Sequence, residues 1–553
     1  MSKHWPIILI LLLAAGLRLY GLERGDTLND EVFYGFRAIG LLDFDKAATQ
    51  KTPLEWWDGN IPWWTKLSFH DHPPLVFWIQ HIFMNVFGDN AFAMRLPSAL
   101  LGIASVYLIY LIGLRLFSPP AALISSVFLA ITLNHVYISR AGMQEAYVIF
   151  FMLLAVYFFL RALESDQYLI WTGVALGLGF VTKYNVFILV PVFLIYLALY
   201  KREYLKNKKL WLGALFSILI FSPVIIYNIM LYASRGHFDF QVSHIIGQVP
   251  AGWEEAPGKE IGTLIDRVKN FLPRIIASSS WLFLALFAVS VLFLRNAFLF
   301  LVFGFLVLLL LFIGPSYRFL TMLTPWMALS VGAGFGQCLQ AGFAIRQPRG
   351  LLRSREESEK VLPKTPFAIL LIAILLFEIF YSYNNQIAYY PAGPTPWLAS
   401  KVRYENYNWG YNDLEKYLLR EFEGKMPALT FNNRYQFLDD AQDHALERAR
   451  AQNLEAYHAL TVYYGNFDEG ARLWIFDRLN VYHAWPIITF DTYLQYLRER
   501  GRNYYQKVGY KNYYFILALN IVPSPEFNEV VKNQKPIIIT NRRGDAAFKI
   551  YKF

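Results

Sequence analysis

Cysteine and charge are both scarce in this chain of 553 residues. Cys338 is the one cysteine, so the chain can form neither an intrachain disulfide nor a cysteine-based metal cluster. We expect this residue to be a small apolar side chain in or near a helix. Charged residues make up 17% of the chain, whereas soluble globular proteins carry about 25%. These scarcities exclude a disulfide-stabilised scaffold and argue against an ordinary soluble protein.

Two patterns of common enzyme classes are also missing. The chain has no Gly-x-x-x-x-Gly-Lys-Ser/Thr loop, which P-loop proteins need to hold nucleotide phosphates. It has no His-Glu-x-x-His pattern, in which two histidines one helical turn apart bind zinc. ATP-driven transport by this chain and zinc-protease chemistry are therefore disfavoured.

Long apolar runs are abundant instead. Apolar residues make up 56% of the chain and aromatic residues 18%, and the mean hydropathy is +0.32. About 20 apolar residues cross the ~30 Å hydrocarbon layer of a membrane, and runs near that length recur up to residue 384. We predict about eleven transmembrane helices. They lie near residues 5–22, 94–114, 119–138, 146–161, 168–182, 184–200, 210–231, 275–294, 297–314, 317–336 and 365–384.

The basic residues indicate how these spans are oriented. The formal net charge is +10, and much of this excess of lysine and arginine lies in the short loops. Basic short loops are typical of the cytoplasmic side of a membrane protein rather than of a nucleic-acid site. No small-residue cleavage site precedes Arg24, so we predict a retained first helix and not a signal peptide. With the N-terminus inside, the inner loops hold Arg115, Arg161, Lys201, Arg202, Lys206, Lys208, Lys209, Arg295, Arg346, Arg349, Arg353, Arg355, Lys360 and Lys364.

The region after residue 384 differs in composition. It begins with a turn-rich segment at 389–394, and charged residues become denser beyond it. Runs at 428–431, 473–476, 513–519 and 536–540 predict buried strands, and 412–422 and 439–454 predict helices. An odd number of spans places this region outside. We therefore predict a transmembrane domain at 1–384 and an extracytoplasmic α/β domain at 385–553.

The first outer segment, residues 24–93, is long and rich in tryptophan. Trp56, Trp57, Trp63 and Trp64 all occur in it. Tryptophan favours the headgroup zone of a membrane, which predicts juxtamembrane helices along the membrane surface. The tryptophans are as compatible with anchoring alone as with substrate contact.

Reactive side chains occur at the predicted outer ends of the spans. Asp30 and Glu31 directly follow the first span, where two adjacent carboxylates are costly unless they have a function. The acids could act on a hydroxyl, whereas Lys183 and Arg318 could hold a phosphate. This combination is typical of group transfer from a phosphate leaving group. The remaining candidates on the same side are Asp71, His72, Arg140, Glu145 and Tyr317.

A metal ion is compatible with this set but is not required by it. Carboxylates suit hard divalent cations, and Asp30, Glu145 and His72, with Glu31, could supply the ligands. Their spacing does not establish a site. We predict that no cofactor is required and leave a divalent cation open.

The order of the motifs resembles the GT-C superfamily of membrane glycosyltransferases. The resemblance is greatest to the group of dolichyl-phosphate-mannose protein mannosyltransferases and lipid A aminoarabinose transferases (ArnT-like). Each matching segment is short, but their order and spacing over the first 200 residues are specific, and a weaker match follows at 317–325. The matching segments are residues 29–34, 72–75, 87–88, 95–98, 139–145, 173–179 and 182–183.

The resemblance implies a GT-C fold and a mechanism. Such enzymes transfer a sugar from a polyprenyl-phosphate donor to an acceptor at the outer face of the membrane, with inversion. Asp30 would deprotonate or orient the acceptor hydroxyl, and Glu31 and Glu145 are the other predicted catalytic acids. Lys183 and Arg318 would neutralise the departing lipid phosphate, an electrostatic contribution that is often large in catalysis.

The resemblance also implies a substrate-binding set, with two departures from the family pattern. His72 would contact the phosphate or the acceptor, and Asp71, Arg140 and Tyr317 complete the set. Glu145 stands where the family usually has Asp. His72 stands where aminoarabinose transferases tend to have lysine, which argues mildly against that specificity.

The sequence thus predicts a multi-pass glycosyltransferase of the cell (inner or plasma) membrane, with a cytoplasmic N-terminus. Its partners would be a polyprenyl-phosphate-linked sugar, membrane lipids and a protein, lipid or glycan acceptor, with no nucleic acid. One alternative is a polyprenyl-lipid or sugar transporter, which would place charges deep within the spans. Another is a non-catalytic subunit with a partner-binding outer domain, which would tolerate loss of Asp30.

Overall fold

Helices account for most of the first 386 residues. The computed structural model describes residues 5–45, 50–251, 253, 262–341, 364–402 and 407–553. The helices of this first region are α1 (Trp5–Leu19), α2 (Glu31–Gly40), α3 (Pro53–Trp56), α4 (Leu75–Phe87), α5 (Ala91–Leu116), α6 (Pro119–Ile131), α7 (Leu133–Arg140), α8 (Gln144–Ala162), α9 (Tyr168–Phe180), α10 (Leu189–Tyr200), α11 (Lys208–Arg235), α12 (Phe240–Ile245), α13 (Leu264–Ser278), α14 (Trp281–Val291), α15 (Ala297–Ile313), α16 (Tyr317–Leu320), α17 (Thr324–Ala341) and α18 (Lys364–Gln386).

Only some of these helices can cross a membrane unaided. Among the described residues, five segments are long and apolar enough, and a sixth results if α6 and α7, which are bent by 56°, form one span. Apolar helices occur at the other predicted positions, but they are shorter than 18 residues, so the predicted count of eleven spans is not confirmed. The five segments are Ala91–Leu116, Gln144–Ala162, Lys208–Arg235, Tyr317–Gly336 and Ile369–Gln386.

Small residues allow the membrane helices to approach closely. α9 packs along α11, and a Cβ added to Gly173 would lie 2.0 Å from the carbonyl oxygen of Gly213. Close backbone approach at small residues is a common way for helices to associate in lipid, where apolar side chains gain little by leaving the hydrocarbon. Cys338 lies within α17, as predicted. The predicted inner-loop arginines and lysine at 346–360 lie outside the described residues.

The last part of the chain combines helices with strands. A five-stranded mixed sheet has the order β4-β3-β5-β7-β6, in which β3 pairs in parallel with β4 and β5, and β7 pairs antiparallel with β5 and β6. β1 and β2 form a separate parallel pair. The elements are α19 (Tyr411–Phe422), β1 (Lys425–Pro427), α20 (Gln436–Ala451), β2 (Glu455–Tyr457), β3 (Ala459–Tyr464), α21 (Glu469–Arg472), α22 (Arg478–His483), β4 (Ile487–Thr489), α23 (Phe490–Arg500), α24 (Tyr504–Val508), β5 (Asn512–Ala518), α25 (Pro525–Val531), β6 (Ile537–Thr540) and β7 (Ala546–Lys552).

Two of the four predicted strands are wrong. The run at 428–431 follows β1 and is not a strand, and the run at 473–476 forms a wide helical turn that joins α21 to α22. Residues 473–477 are all buried, and a short continuous apolar run does not distinguish a buried strand from a buried helix. The predicted strands at 513–519 and 536–540 coincide with β5 and β6, and the predicted helices with α19 and α20. The domain division at residue 384 stays a prediction.

One buried carboxylate joins the segment after α1 to the C-terminal region. Asp26 accepts hydrogen bonds from the backbone amides of Trp409, Tyr411 (3.3 Å) and Asn412 (3.0 Å). The Asn412 side chain donates in return to the carbonyl oxygen of Gly25 at 2.8 Å. These contacts hold residues 25–26 against the start of α19, immediately before the acidic motif.

Candidate functional site

Asp30 and Arg318 form an ion pair that remains accessible to solvent. Asp30 occupies the N-cap position of α2 without a capping hydrogen bond from its side chain, and Arg318 lies in the short helix α16. The Arg318 guanidinium contacts the Asp30 carboxylate. The Asp30 side chain is 47% exposed and that of Arg318 is 27% exposed, so both can still meet a substrate.

A second cation lies close to this pair. The Lys183 ammonium is 4.8 Å from the ring centroid of Phe319, and the Arg318 guanidinium is 4.9 Å from the same ring. Lys183 donates to Glu145 at 2.7 Å, and both side chains are buried. The other carboxylate oxygen of Glu145 has no hydrogen-bond partner within the described part of the chain. The structure therefore brings together four of the predicted residues around one phenyl ring.

Glu31 points away from this exposed surface. Its carboxylate accepts hydrogen bonds from Arg95 at 2.6 and 3.0 Å and from the Gly142 amide at 2.7 Å. Both charged side chains are almost fully buried. Arg95 also donates to the carbonyl oxygens of Leu22 and Gly25. This environment favours an anchor for the acidic motif in place of the catalytic role predicted for Glu31.

Asp71 belongs to a buried ion-pair cluster centred on Arg37. Arg37 donates to Asp71 at 2.7 Å and also pairs with Asp45. Burial by itself would raise the pKa of Asp71, but Arg37 and the neighbouring His72 and His70 hold this pKa well below its ordinary value. Asp71 therefore stays anionic inside the fold, which favours a structural role over the predicted substrate contact.

His72 connects this cluster to the candidate site. Its Nδ1 lies 3.1 Å from Asp71, and its ring packs edge-on against Tyr34 at a centroid distance of 5.4 Å. Tyr34 is buried one helical turn after Asp30 in α2. A role for His72 in binding the phosphate or the acceptor stays a prediction.

Two other predicted residues lie at the margin of the site. The Arg140 guanidinium donates to the carbonyl oxygens of Leu17, Arg18, Tyr20 and Gly21, so it caps the end of α1. Its two terminal nitrogens are therefore used within the fold, and the predicted contact with substrate is not supported by this geometry. Tyr317 packs its ring under the guanidinium of Arg274, at 5.6 Å, beside Arg318.

The predicted metal ligands Asp30, Glu145 and His72 do not form a common ligand set in the described part of the chain. The group there whose ligand atoms lie within 4.8 Å of one another is Asp43, His70 and Asp71. Arg37 already pairs with Asp71 and lies 4.0 Å from Asp43, so a cation is present in this cluster. A requirement for a divalent cation stays untested.

Sequence reasoning did not identify the supporting residues Arg37, Arg95 and Phe319. Arg95 stands in a segment that was recognised, 95–98, and an arginine at the start of a predicted span was a usable signal. Arg37 and Phe319 gave no such signal. Arg37 pairs with Asp71, 34 residues away, and Phe319 contacts Lys183, 136 residues away.

The arrangement combines one accessible carboxylate with two cations. A carboxylate can accept the proton of a hydroxyl, and arginine and lysine can neutralise a phosphate. The exposed pair of Asp30 and Arg318 can open toward a substrate, whereas the buried pair of Lys183 and Glu145 is held in place. Chemistry on a phosphate ester with a hydroxyl nucleophile fits this set.

Comparisons with known proteins show what this chain is similar to. A family model described as dolichyl-phosphate-mannose-protein mannosyltransferase matches residues 71–227. The "Putative mannosyltransferase YycA" of Bacillus subtilis (strain 168) is 33% identical over 206 residues, which cover 36% of this chain and 28% of that protein. An undecaprenyl phosphate-alpha-4-amino-4-deoxy-L-arabinose arabinosyl transferase of Pseudomonas savastanoi pv. phaseolicola (strain 1448A / Race 6) is 30% identical over 129 residues, which cover 22% of this chain and 24% of that protein.

A solved structure extends the similarity to the whole chain. ArnT from Cupriavidus metallidurans, in its crystal structure bound to undecaprenyl phosphate, aligns with 100% of this chain and 98% of its own, with a TM-score of 0.50 and 12% identity. This likeness concerns the fold alone. The matches to the curated relatives span only about a quarter of those proteins' lengths. Together the comparisons confirm the resemblance to the GT-C membrane glycosyltransferases.

Proposed function

We propose that this chain is an integral membrane glycosyltransferase that transfers a sugar from a polyprenyl-phosphate donor to a hydroxyl of an acceptor at the outer face of the membrane. The observation that carries the proposal is the accessible Asp30 carboxylate held by Arg318, with Lys183 beside the same Phe319 ring that Arg318 contacts. One accessible carboxylate beside two cations suits direct displacement of a phosphate better than it suits the carriage of a solute.

The proposed reaction is a single displacement at the anomeric carbon. The acceptor oxygen attacks this carbon as the bond to the phosphate oxygen breaks, and polyprenyl phosphate leaves with the bonding electrons. The attack comes from the face opposite the leaving phosphate, so the configuration of the sugar inverts, and Asp30 takes the proton of the acceptor hydroxyl. Arg318 and Lys183 stabilise the negative charge that develops on the leaving phosphate.

The Lys183–Glu145 pair would hold the second cation ready for this step. Lys183 is buried and donates to Glu145 at 2.7 Å, so its position does not depend on the substrate. Preorganised charge costs no rearrangement when the reaction occurs. Arg318, which is more exposed, would exchange part of its contact with Asp30 for a contact with the donor phosphate.

The outer-face location rests on charge distribution. The basic loops predicted to be cytoplasmic include Lys201–Lys209, whereas Glu145 begins α8 at the opposite end from Arg161. The 19 residues of α8, at about 1.5 Å per residue, place these two ends roughly 28 Å apart. This separation is close to the hydrocarbon thickness, so the site and the basic loops would lie on opposite sides of the membrane.

Sugar release in lipid nanodiscs tests the proposal. Purified protein would receive a panel of radiolabelled polyprenyl-phosphate sugars, with membrane extract as the source of acceptor. We expect one donor to be consumed, and the variant Asp30→Asn to lower its rate by about 10²–10⁴-fold, which is the usual contribution of a general base.

Glu164→Gln is the matched control. It neutralises an exposed carboxylate that pairs with Arg115 beyond the far end of α8, so we expect unchanged turnover. Equal donor consumption by the wild type and by Asp30→Asn would overturn the assignment of Asp30. No consumption of any donor with membrane extract present would favour the transporter or non-catalytic alternatives.

A further inference from the structure

A cavity lies beside the acidic motif, between the segment before α2 and the C-terminal sheet. Its volume is about 410 Å³, which is near the lower end of the ~300–1,000 Å³ range of small-molecule sites. Leu28 forms one wall, and Trp409, Tyr411 and Phe548 form the aromatic part of its lining. Its size suits a small molecule.

The lining of this cavity has a definite chemical character. Among its polar side chains are Asp468, Asn520 and Asn541, and no lysine, arginine or histidine from the described residues lines it. An anionic phosphate would find no cation there. Flat aromatic faces beside carboxylate and amide groups suit a molecule with apolar C–H faces and several hydroxyls, since rings cover the former and polar groups bind the latter.

The aromatic groups are available and well supported. Trp409 is 49% exposed, and its ring stacks on Tyr407 at 5.2 Å. The Tyr411 ring packs against Phe548 at 5.2 Å, which fixes the position of both rings. Gly410 lies between the two aromatic residues with a φ of +101°, and a Cβ there would come within 2.8 Å of Ala547. The cavity therefore depends on a small residue in an unusual backbone conformation.

The wall of the cavity is physically tied to the candidate catalytic carboxylate. Leu28 precedes Asp30 by two residues, so their Cα atoms lie at most about 7 Å apart. Asp26 binds the amides of Trp409 and Asn412, and a Cβ on Gly470 would lie 2.0 Å from the Leu28 carbonyl oxygen. A molecule in the cavity would thus be held at a fixed distance from Asp30.

We propose that this cavity binds a sugar unit of the acceptor, so that the acceptor is a glycan or a glycosylated molecule. This inference rests on the proposed transferase function. The donor phosphate needs Arg318 and Lys183, which leaves the cavity, lined by no cation in the part of the chain that the structure describes, for the other substrate. A sugar ring on Trp409 would lie in the cavity that Leu28 also lines, two residues before Asp30 in the chain.

Sugar binding can be measured independently of turnover. Saturation-transfer NMR would be recorded on full-length protein in lipid nanodiscs, because glycoside detergents would compete for the cavity. The probes are the methyl glycosides of mannose, glucose, galactose and N-acetylglucosamine. We expect at least one probe to bind, with an affinity about tenfold or more lower in Trp409→Ala, because a buried aromatic contact often dominates a small site.

Two further variants separate loss of the site from loss of the fold. Ala546→Trp fills the cavity from an exposed position and keeps Trp409, so it should also abolish binding. Trp397→Ala removes another exposed tryptophan, 58% exposed and outside the cavity, and should bind as the wild type does. Binding that is absent from the wild type, or unchanged in both Trp409→Ala and Ala546→Trp, would overturn the inference.

Failure of this inference and failure of the transferase proposal give different results. Donor consumption that depends on Asp30, together with no sugar binding, would remove the cavity assignment alone. Binding that depends on Trp409, together with no effect of Asp30→Asn on donor consumption, would remove the transferase proposal alone. If both proposals hold, the bound glycoside should compete with the acceptor and not with the donor.

Discussion

Replacement of Glu31 by glutamine should destabilise the protein even though the shape of the side chain is preserved. The Glu31 carboxylate accepts two hydrogen bonds from Arg95, at 2.6 and 3.0 Å, and one from the Gly142 amide at 2.7 Å. Glutamine offers one acceptor oxygen and an NH₂ donor. In the variant Glu31→Gln the amide nitrogen must therefore face another donor, and the Arg95 charge loses its buried counter-ion.

The size of the effect follows from the burial of the pair. Breaking a buried ion pair by removing one partner costs about 3–5 kcal/mol. Arg95 keeps its hydrogen bonds to the carbonyl oxygens of Leu22 and Gly25, so we expect the lower end, roughly 3 kcal/mol. The exposed pair of Arg115 and Glu164, with side chains 21% and 62% exposed, should contribute only about 0–1 kcal/mol.

Thermal unfolding in nanodiscs, followed by tryptophan fluorescence, tests this reasoning. Because the entropy of unfolding is about 2.1 cal/mol/K per residue, a chain of 553 residues shifts its melting temperature by about 0.9 °C per kcal/mol. Glu31→Gln should therefore melt roughly 3 °C below the wild type, and Glu164→Gln within about 1 °C of it. Turnover per folded Glu31→Gln molecule should fall less than in Asp30→Asn. A variant Glu31→Gln that melts like the wild type but has lost its activity would refute the anchoring role and restore the catalytic one.

Two further perturbations probe the charges behind the site. Burial lowers the pKa of His70, but Asp43 and Asp71 outweigh burial and raise this pKa to about 9. The stabilisation of the fold by protonated His70 is therefore fully present below about pH 6.5. It is lost as the pH rises through the folded-state pKa. The melting temperature of the wild type should therefore fall more between pH 6.5 and pH 9.5 than that of His70→Gln, and parallel curves would contradict the assignment. Lys183→Met should leave Glu145 buried without its cation and cost about 3–5 kcal/mol. The double variant with Glu145→Gln should recover the melting temperature but not sugar release, and recovery of both would show that Lys183 is dispensable for the reaction.

The positions of the helices were largely predictable from the sequence. Each apolar run that was recognised contains helical residues, because a chain in lipid must satisfy its own backbone hydrogen bonds. Lengths were less predictable: α14 is 11 residues long where a span of 275–294 was predicted. Local hydropathy does not reveal where a helix bends or stops, as at the 56° bend between α6 and α7. Breaks of this kind depend on neighbouring helices.

The strands were less predictable than the helices. β5 was predicted because Asn512–Ala518 combines aromatic and branched residues. The run at 473–476 has a similar composition and is buried like β5, but it lies within a helix, and a short continuous apolar run does not distinguish the two. The strands β3, β4 and β7 were not predicted at all. Their pairing joins segments that are far apart in sequence, and that pairing supplies much of their stability.

The sequence alone determined that the chain would enter a membrane and that its reactive groups would collect near helix ends. Both follow from local properties: the length of apolar runs and the cost of charge within lipid. The residue types for chemistry on a phosphate ester were also visible, in Asp30, Lys183 and Arg318. Their separation along the chain carried no information about which of them touch.

Only the tertiary structure decided which charges pair with one another. Glu31 and Asp30 are adjacent in sequence, yet α2 directs Glu31 into a buried pair with Arg95 and leaves Asp30 exposed beside Arg318. A helix turns successive side chains by about 100°, so neighbours face different surroundings. Whether a carboxylate serves as an anchor or remains available for chemistry is settled by what the fold places against it.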